Sequence, residues 1–231
     1  MVNACLMEAL MDDPDPERAL ILSYAPVQRR EGLAALLALD AALARLLRTT
    51  REPAVGQLRL AWWREALAAL DSGPAPAEPA LRGIAEHVLP HGVSGASLVP
   101  IVHGWEVLIE DAALDERALG RFAAERATLF NAAGRVLGAG RGDPLTAAGK
   151  GWALADLARN LDGAGEAAAA RDLAIPELCE AAAARWSRNG RALGALAHLA
   201  RMDLVVGDGA PVPLGSPRRV ARLAWHRLSG R

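Results

Sequence analysis

With 231 residues the chain is long enough for one domain with a sizeable core. Alanine and leucine dominate its 52% hydrophobic residues while β-branched and aromatic side chains are few, so an all-α domain is expected and an extended sheet is not. A formal net charge of −1, from 26 basic and 27 acidic residues, gives no overall field toward nucleic acid or an anionic membrane.

Residues 1–14 read as an N-terminal extension without a basic stretch, and Glu8 interrupts it, so no signal peptide is expected. One helical domain is expected over 15–231. Asp15-Pro16-Glu17 combines a cap, a first-turn proline and a first-turn acid, and starts a short helix to about Tyr24. After Ala25-Pro26, a long helix over about 28–49 carries Leu33, Leu36, Leu37, Asp40, Leu43, Ala44 and Leu47 on one stripe. Arg51-Glu52-Pro53 turns the chain into a second helix, about 54–70, where Val55, Leu58, Trp62 and Ala66 line one face. This phase puts Trp62 in the core; Trp63, about 100° round the helix, should be more exposed or line a cavity. Ser72-Gly73-Pro74-Ala75-Pro76 is a loop.

Further helices are expected over about 79–89, 96–110, 116–137 and 144–161. Gly163 and Gly165 loosen the chain before Ile175-Pro176 starts another helix, and two more follow near 192–202 and 217–228. No uncharged apolar run reaches the roughly 18 residues needed to cross a bilayer, so no transmembrane segment is expected and the chain is placed in the cytoplasm. Cys5 and Cys179 have no metal-ligand spacing. His87 and His91 stand four apart, but Pro90 lies between them and no third ligand is evident, so no metal site is expected from these residues.

The segment Leu58-Arg59-Leu60-Ala61-Trp62-Trp63-Arg64-Glu65-Ala66-Leu67, with the long helix before it, resembles the opening of the squalene/phytoene synthase family. Pro26 and Arg30 fall at the family's entry to the long helix. A second landmark is Ala155-Asp156-Leu157-Ala158-Arg159-Asn160-Leu161, followed by Ile175-Pro176, which is similar to the family's Asn-Ile-Leu-Arg-Asp and the Leu-Pro beyond it. The resemblance implies an isoprenoid-synthase-like helical bundle around a central cavity, joining two prenyl diphosphates in active members. It also implies two acidic motifs, and here this chain departs. Ala44, Arg45 and Arg48 stand where the first motif has aspartates. Asp156 replaces the asparagine of the second, Asn160 its aspartate, and Gly163 and Ala164 fall where it closes. The same losses mark a branch that resembles assembly factors of respiratory NADH dehydrogenase (complex I). The resemblance therefore implies a protein degenerate in catalysis, with a membrane respiratory-complex subunit or an isoprenoid lipid as partner, peripheral at the inner membrane, and with no nucleic acid.

Ionising an allylic diphosphate needs Mg²⁺ held by carboxylates on facing helices. Arg45 and Arg48 reverse the required charge, although Arg30, Arg45, Arg48 and Arg159 could each grip a phosphate directly. Asp40 interrupts an apolar stripe; it is either a cavity-lining carboxylate or a structural residue, paired with an arginine or partly exposed at a boundary. Trp152, Asp156 and Asn160 share a face and are candidates for the remnant of the second site, and Trp62 and Trp63 for the cavity wall or the core. The competing reading is a working prenyltransferase, using Mg²⁺ as cofactor, whose acids come from Asp156, Asp162, Glu166, Glu106 and Asp111.

Overall fold

The computed structural model describes residues 16–111, 113–206 and 210–231; the expected extension over 1–14 and Cys5 lie outside the described residues. The described residues form helices and no strands, as the composition requires. In chain order the α-helices are α1 (Pro16–Leu22), α2 (Arg30–Thr49), α3 (Pro53–Ala69), α4 (Pro79–His87), α5 (Val99–Glu110) and α6 (Glu116–Arg126). They continue with α7 (Thr128–Leu137), α8 (Leu145–Asn160), α9 (Ala164–Ala183), α10 (Arg191–Asp203) and α11 (Pro217–Ser229).

The core follows the expected periodicity of α2 closely: Leu33, Leu36, Leu39 and Leu43 are fully buried, and Asp40 is buried with them. α2 packs on α4, α5 and α7; α3 packs on α5; α5 on α6; and α8 runs against α6, α7, α9 and α10. α11 packs on α10. Proline at the first turn starts α3, α4 and α11, and the side chains of Glu78 and Asp115 accept the orphan backbone N–H groups that open α4 and α6.

Three expectations need correction. The stretch 116–137 is two helices, because the chain turns at Ala127 between α6 and α7. Pro176 does not start a helix; it lies inside α9. A proline mid-helix loses one hydrogen bond, but here tertiary packing on both sides of it outweighs that loss. Ala170, Ala174, Leu178 and Ala181 are all fully buried, and Leu178 comes so close to α8 that a Cβ on Gly151 would sit 2.6 Å from its Cγ. Finally, the phase of α3 is one position off. Its buried face is Gly56, Leu60, Trp63, Ala66 and Leu67, whereas Val55, Leu58 and Trp62 are exposed, Trp62 at 45% against 6% for Trp63. Because α3 is apolar nearly all round, its sequence offers two stripes, and packing against α5 selects the second.

α1 and α11 meet through an ion pair. Arg219 of α11 donates from Nε and Nη2 to both carboxylate oxygens of Glu17 on α1 (2.8 and 2.7 Å), and from Nη1 to Asp203 of α10. Burial alone would raise the Glu17 pKa, but the Arg219 hydrogen bonds and the Gly215 N–H outweigh it and hold the carboxyl below its usual value. On the same helices, the rings of His198 and His226 meet edge to face with centroids 4.6 Å apart, and His226 Nε2 donates to the Arg191 carbonyl (3.1 Å). Burial drives both imidazoles down, His198 to about 3 and His226 to about 4, so both are neutral.

Candidate functional site

The helices that carry the positions of the two acidic motifs, α2 and α8, are bridged by a residue that the sequence reading passed over. Arg126 ends α6 and is 2% exposed. Its register explains the burial: Leu119, Phe122 and Ala123 stand seven, four and three residues before it and form the buried face of α6. The guanidinium grips Asp40 with two bonds, Nε to Oδ1 (2.8 Å) and Nη2 to Oδ2 (2.6 Å), in the forked geometry that only arginine supplies. Nη1 donates to Asp156 Oδ2 on α8 (2.7 Å). The indole of Trp105 donates to Asp40 Oδ1 (3.1 Å). The flat faces of the guanidinium lie 4.4 Å from the Trp105 ring centroid and 4.4 Å from that of Trp152.

One cation is thus sandwiched between two indoles and shared by two carboxylates from facing helices. Burial lowers the Arg126 pKa, but the charges of Asp40 and Asp156 and the hydrogen bonds to both outweigh that and raise it, so the site keeps a permanent positive charge. Of the two readings of Asp40, the arginine-paired one holds. Asp156 and Trp152 join the same cluster, so the α8 face is a wall around Arg126.

The remaining candidates go elsewhere. Asn160 donates from Nδ2 to the Asp156 carbonyl (2.7 Å), a local bond within α8. Arg30 donates to the Leu22 carbonyl (2.9 Å) and ties α1 to α2, and Arg159 reaches the Ala210 carbonyl (3.1 Å). Ala44 is buried, while Arg45 and Arg48 are exposed. Burial lowers the Arg48 pKa, and the charge of Asp156 partly opposes this. Arg45 lines an open groove of about 410 Å³ between α2 and α3, together with Leu46, Thr49, Arg59, Trp62 and Trp63. Both tryptophans therefore border a cavity, Trp63 from the core side and Trp62 from the solvent side, their rings edge to face at 5.4 Å.

The acids of the competing reading do not gather. Glu166 accepts the Leu114 N–H (3.1 Å), Asp111 pairs with Arg121, and Glu106 lies 3.1 Å from Arg64 Nε, off the line of its N–H and so as an ion pair without a hydrogen bond. Burial pushes the Glu106 carboxyl up against the opposing Arg64 charge. Among the described residues no group of three or more His, Cys, Asp or Glu could hold a metal ion; His87 pairs with Glu86 and Cys179 is a free, exposed thiol. The donor set does not fit Mg²⁺: the two carboxylates that α2 and α8 supply are both bonded to Arg126, and the positions that would add more hold Ala44, Arg45, Arg48 and Asn160.

Arg126 left a trace in the sequence. An arginine in register with the apolar stripe of α6, and an aspartate in register with that of α2, are opposite charges that both must be buried and so must find each other.

Among the described residues no single helix is long and apolar enough to cross a membrane. No curated protein and no solved structure matches the chain. The family model for squalene/phytoene synthase matches residues 11–177, well over half of the sequence, and both landmarks lie inside the match. On that match and the all-helical fold, the chain belongs to the squalene/phytoene synthase family.

Proposed function

We propose that this chain is a binding member of its family that no longer performs prenyl transfer. The observation that carries the reading is the Arg126 guanidinium, fastened to Asp40 and Asp156 between two indoles. Departure of a diphosphate requires concentrated positive charge open to the leaving group. Here the charge is fixed, planar and enclosed, and its hydrogen-bonding edges are turned to protein carboxylates. The groove between α2 and α3 supports the binding role. Trp62, Trp63 and Leu46 offer apolar surface beside the guanidinium groups of Arg45 and Arg59, which outnumber the one acid of the lining, Glu78, and this suits an isoprenoid or other lipid with an anionic end. Service as an assembly factor for a membrane respiratory complex is the cellular role that this loss of chemistry and retention of fold would fit.

The test is incubation of the purified protein with labelled farnesyl and geranylgeranyl diphosphates and Mg²⁺ or Mn²⁺. No squalene- or phytoene-type product is expected. Sustained turnover abolished by Asp156→Ala would overturn the reading and establish the prenyltransferase alternative. For the binding role, lipid extracted from the purified protein should include an isoprenoid that Trp62→Ala, a change on the exposed wall of the groove, depletes.

A further inference from the structure

α11 is amphipathic the wrong way round. A helix on the surface of a globular domain turns its apolar stripe inward and its charges to water. The buried side of α11 is Arg219, Leu223 and His226, two polar groups and one leucine. Its solvent side is apolar: Val220 is 42% exposed, Trp225 59% and Leu228 77%, with exposed Ala221 and Ala224 between them. Arg218 flanks this stripe on one edge and Arg227 on the other, the latter held in place by stacking on Tyr24 at 4.7 Å.

The surrounding charge has one sign. From Arg185 to the end, the sequence holds nine arginines and two acids, Asp203 and Asp208, against an overall −1 for the chain. The fold gathers several of these arginines round α11: Arg185 and Arg191 border Gly230, and Arg201 lies near enough to Arg222 to lower its pKa further after burial has done so. The acids that reach α11 from α1 and α10, Glu17 and Asp203, face inward onto Arg219.

We propose that the outward face of α11 docks on an anionic phospholipid surface. The face combines a tryptophan, whose ring favours the headgroup level, with a leucine to enter the acyl boundary and arginines along both edges to meet phosphate. At 13 residues the helix is about 20 Å long, too short to cross a bilayer and suited to lying along one. Charge decides between a lipid surface and a second copy of this chain, because two copies meeting through α11 would bring their arginines together. The inference does not depend on the loss of prenyl transfer, since α11 lies apart from the Arg126 cluster and would dock an active protein equally.

The experiment is vesicle flotation of the full chain at low and high salt. The vesicles are phosphatidylcholine alone or phosphatidylcholine with about one-third phosphatidylglycerol, in the range of anionic membranes. Binding is expected on the anionic vesicles only and should weaken with salt. Trp225→Ser with Leu228→Ser should weaken it by on the order of tenfold or more, and Arg218→Gln or Arg231→Gln by about fivefold each. All four positions are exposed, so the thermal unfolding of each variant, followed by circular dichroism, should match that of the parent. Absence of binding at low salt, or binding unchanged in the double variant, would overturn the proposal. So would a concentration-dependent dimer that the double variant splits, because a second copy would then cover the face.

Discussion

Replacing Arg126 by methionine removes the central cation while keeping most of the side-chain bulk between Trp105 and Trp152. Asp40 would then remain buried, still accepting from the Trp105 indole N–H, 3.1 Å away, but without its cation. Breaking a buried ion pair from one side costs about 3–5 kcal/mol, and the upper half of that range is expected because Asp40 loses two charge-assisted hydrogen bonds at once. Asp156 is a different case. Its side chain is 41% exposed, so water can solvate it once Arg126 is gone; Asp156→Ala instead takes a carboxylate from the buried Nη1 of Arg126 and should cost about 1–3 kcal/mol. Combining Arg126→Met with Asp40→Leu removes both buried charges together, and this pair should lie within about 2 kcal/mol of the parent. The two single changes and the double form a cycle in which the double costs at least about 3 kcal/mol less than the sum of the singles. Urea unfolding at neutral pH, followed by far-ultraviolet circular dichroism, measures all four proteins. A cost below about 1 kcal/mol for Arg126→Met, or a double variant that loses the sum of the singles, would refute the mutual dependence of Asp40 and Arg126.

Two further outcomes are expected. Trp63→Ala should destabilise by about 3–5 kcal/mol and Trp62→Ala by about 1 kcal/mol, and equal losses in urea unfolding would return Trp62 to the core. His198 and His226 are protonated in the unfolded chain below about pH 6.5 but stay neutral when folded down to about 3 and about 4, so their contribution to stability is complete above pH 6.5 and lost as pH falls toward 4. Each contributes a slope of up to roughly 1.4 kcal/mol per pH unit there, and His198→Gln with His226→Gln should flatten the profile; an unchanged slope would remove both imidazoles from the acid transition.

The sequence carries the fold well where one stripe dominates and poorly where none does. α2 has a single apolar face, and its burial pattern follows from spacing alone. α3 has apolar residues on nearly every face, so spacing could not choose between the stripes led by Trp62 and Trp63; the neighbouring α5 made the choice. Pro176 reads locally as a boundary, but the alanines and leucine around it pack so closely on α8 that the helix continues. At the candidate site, Asp40 was visible because it broke an apolar stripe, Asp156 because it lies in a landmark motif, and Trp152 because it shares the face of Asp156. Arg126 was not, because it belongs to no motif. Its meaning depends on Asp40, 86 positions earlier, and that is a relation between two stripes. The near-zero net charge similarly concealed the basic C-terminal region, since a sum over the chain discards position.

The ion pair between Glu17 and Arg219 spans 202 positions of sequence, and this has a consequence for synthesis. α1 leaves the ribosome well before α11, and the guanidinium that fits its buried acid follows 202 positions later. Until α11 is translated, Glu17 cannot take its final place beside Arg219, and docking α1 onto the bundle early would enclose a carboxylate ahead of its cation. α1 is therefore expected to join the domain late. A chain interrupted anywhere before Arg219 would carry α1 without this counterpart, a defect that marks incomplete copies by their instability.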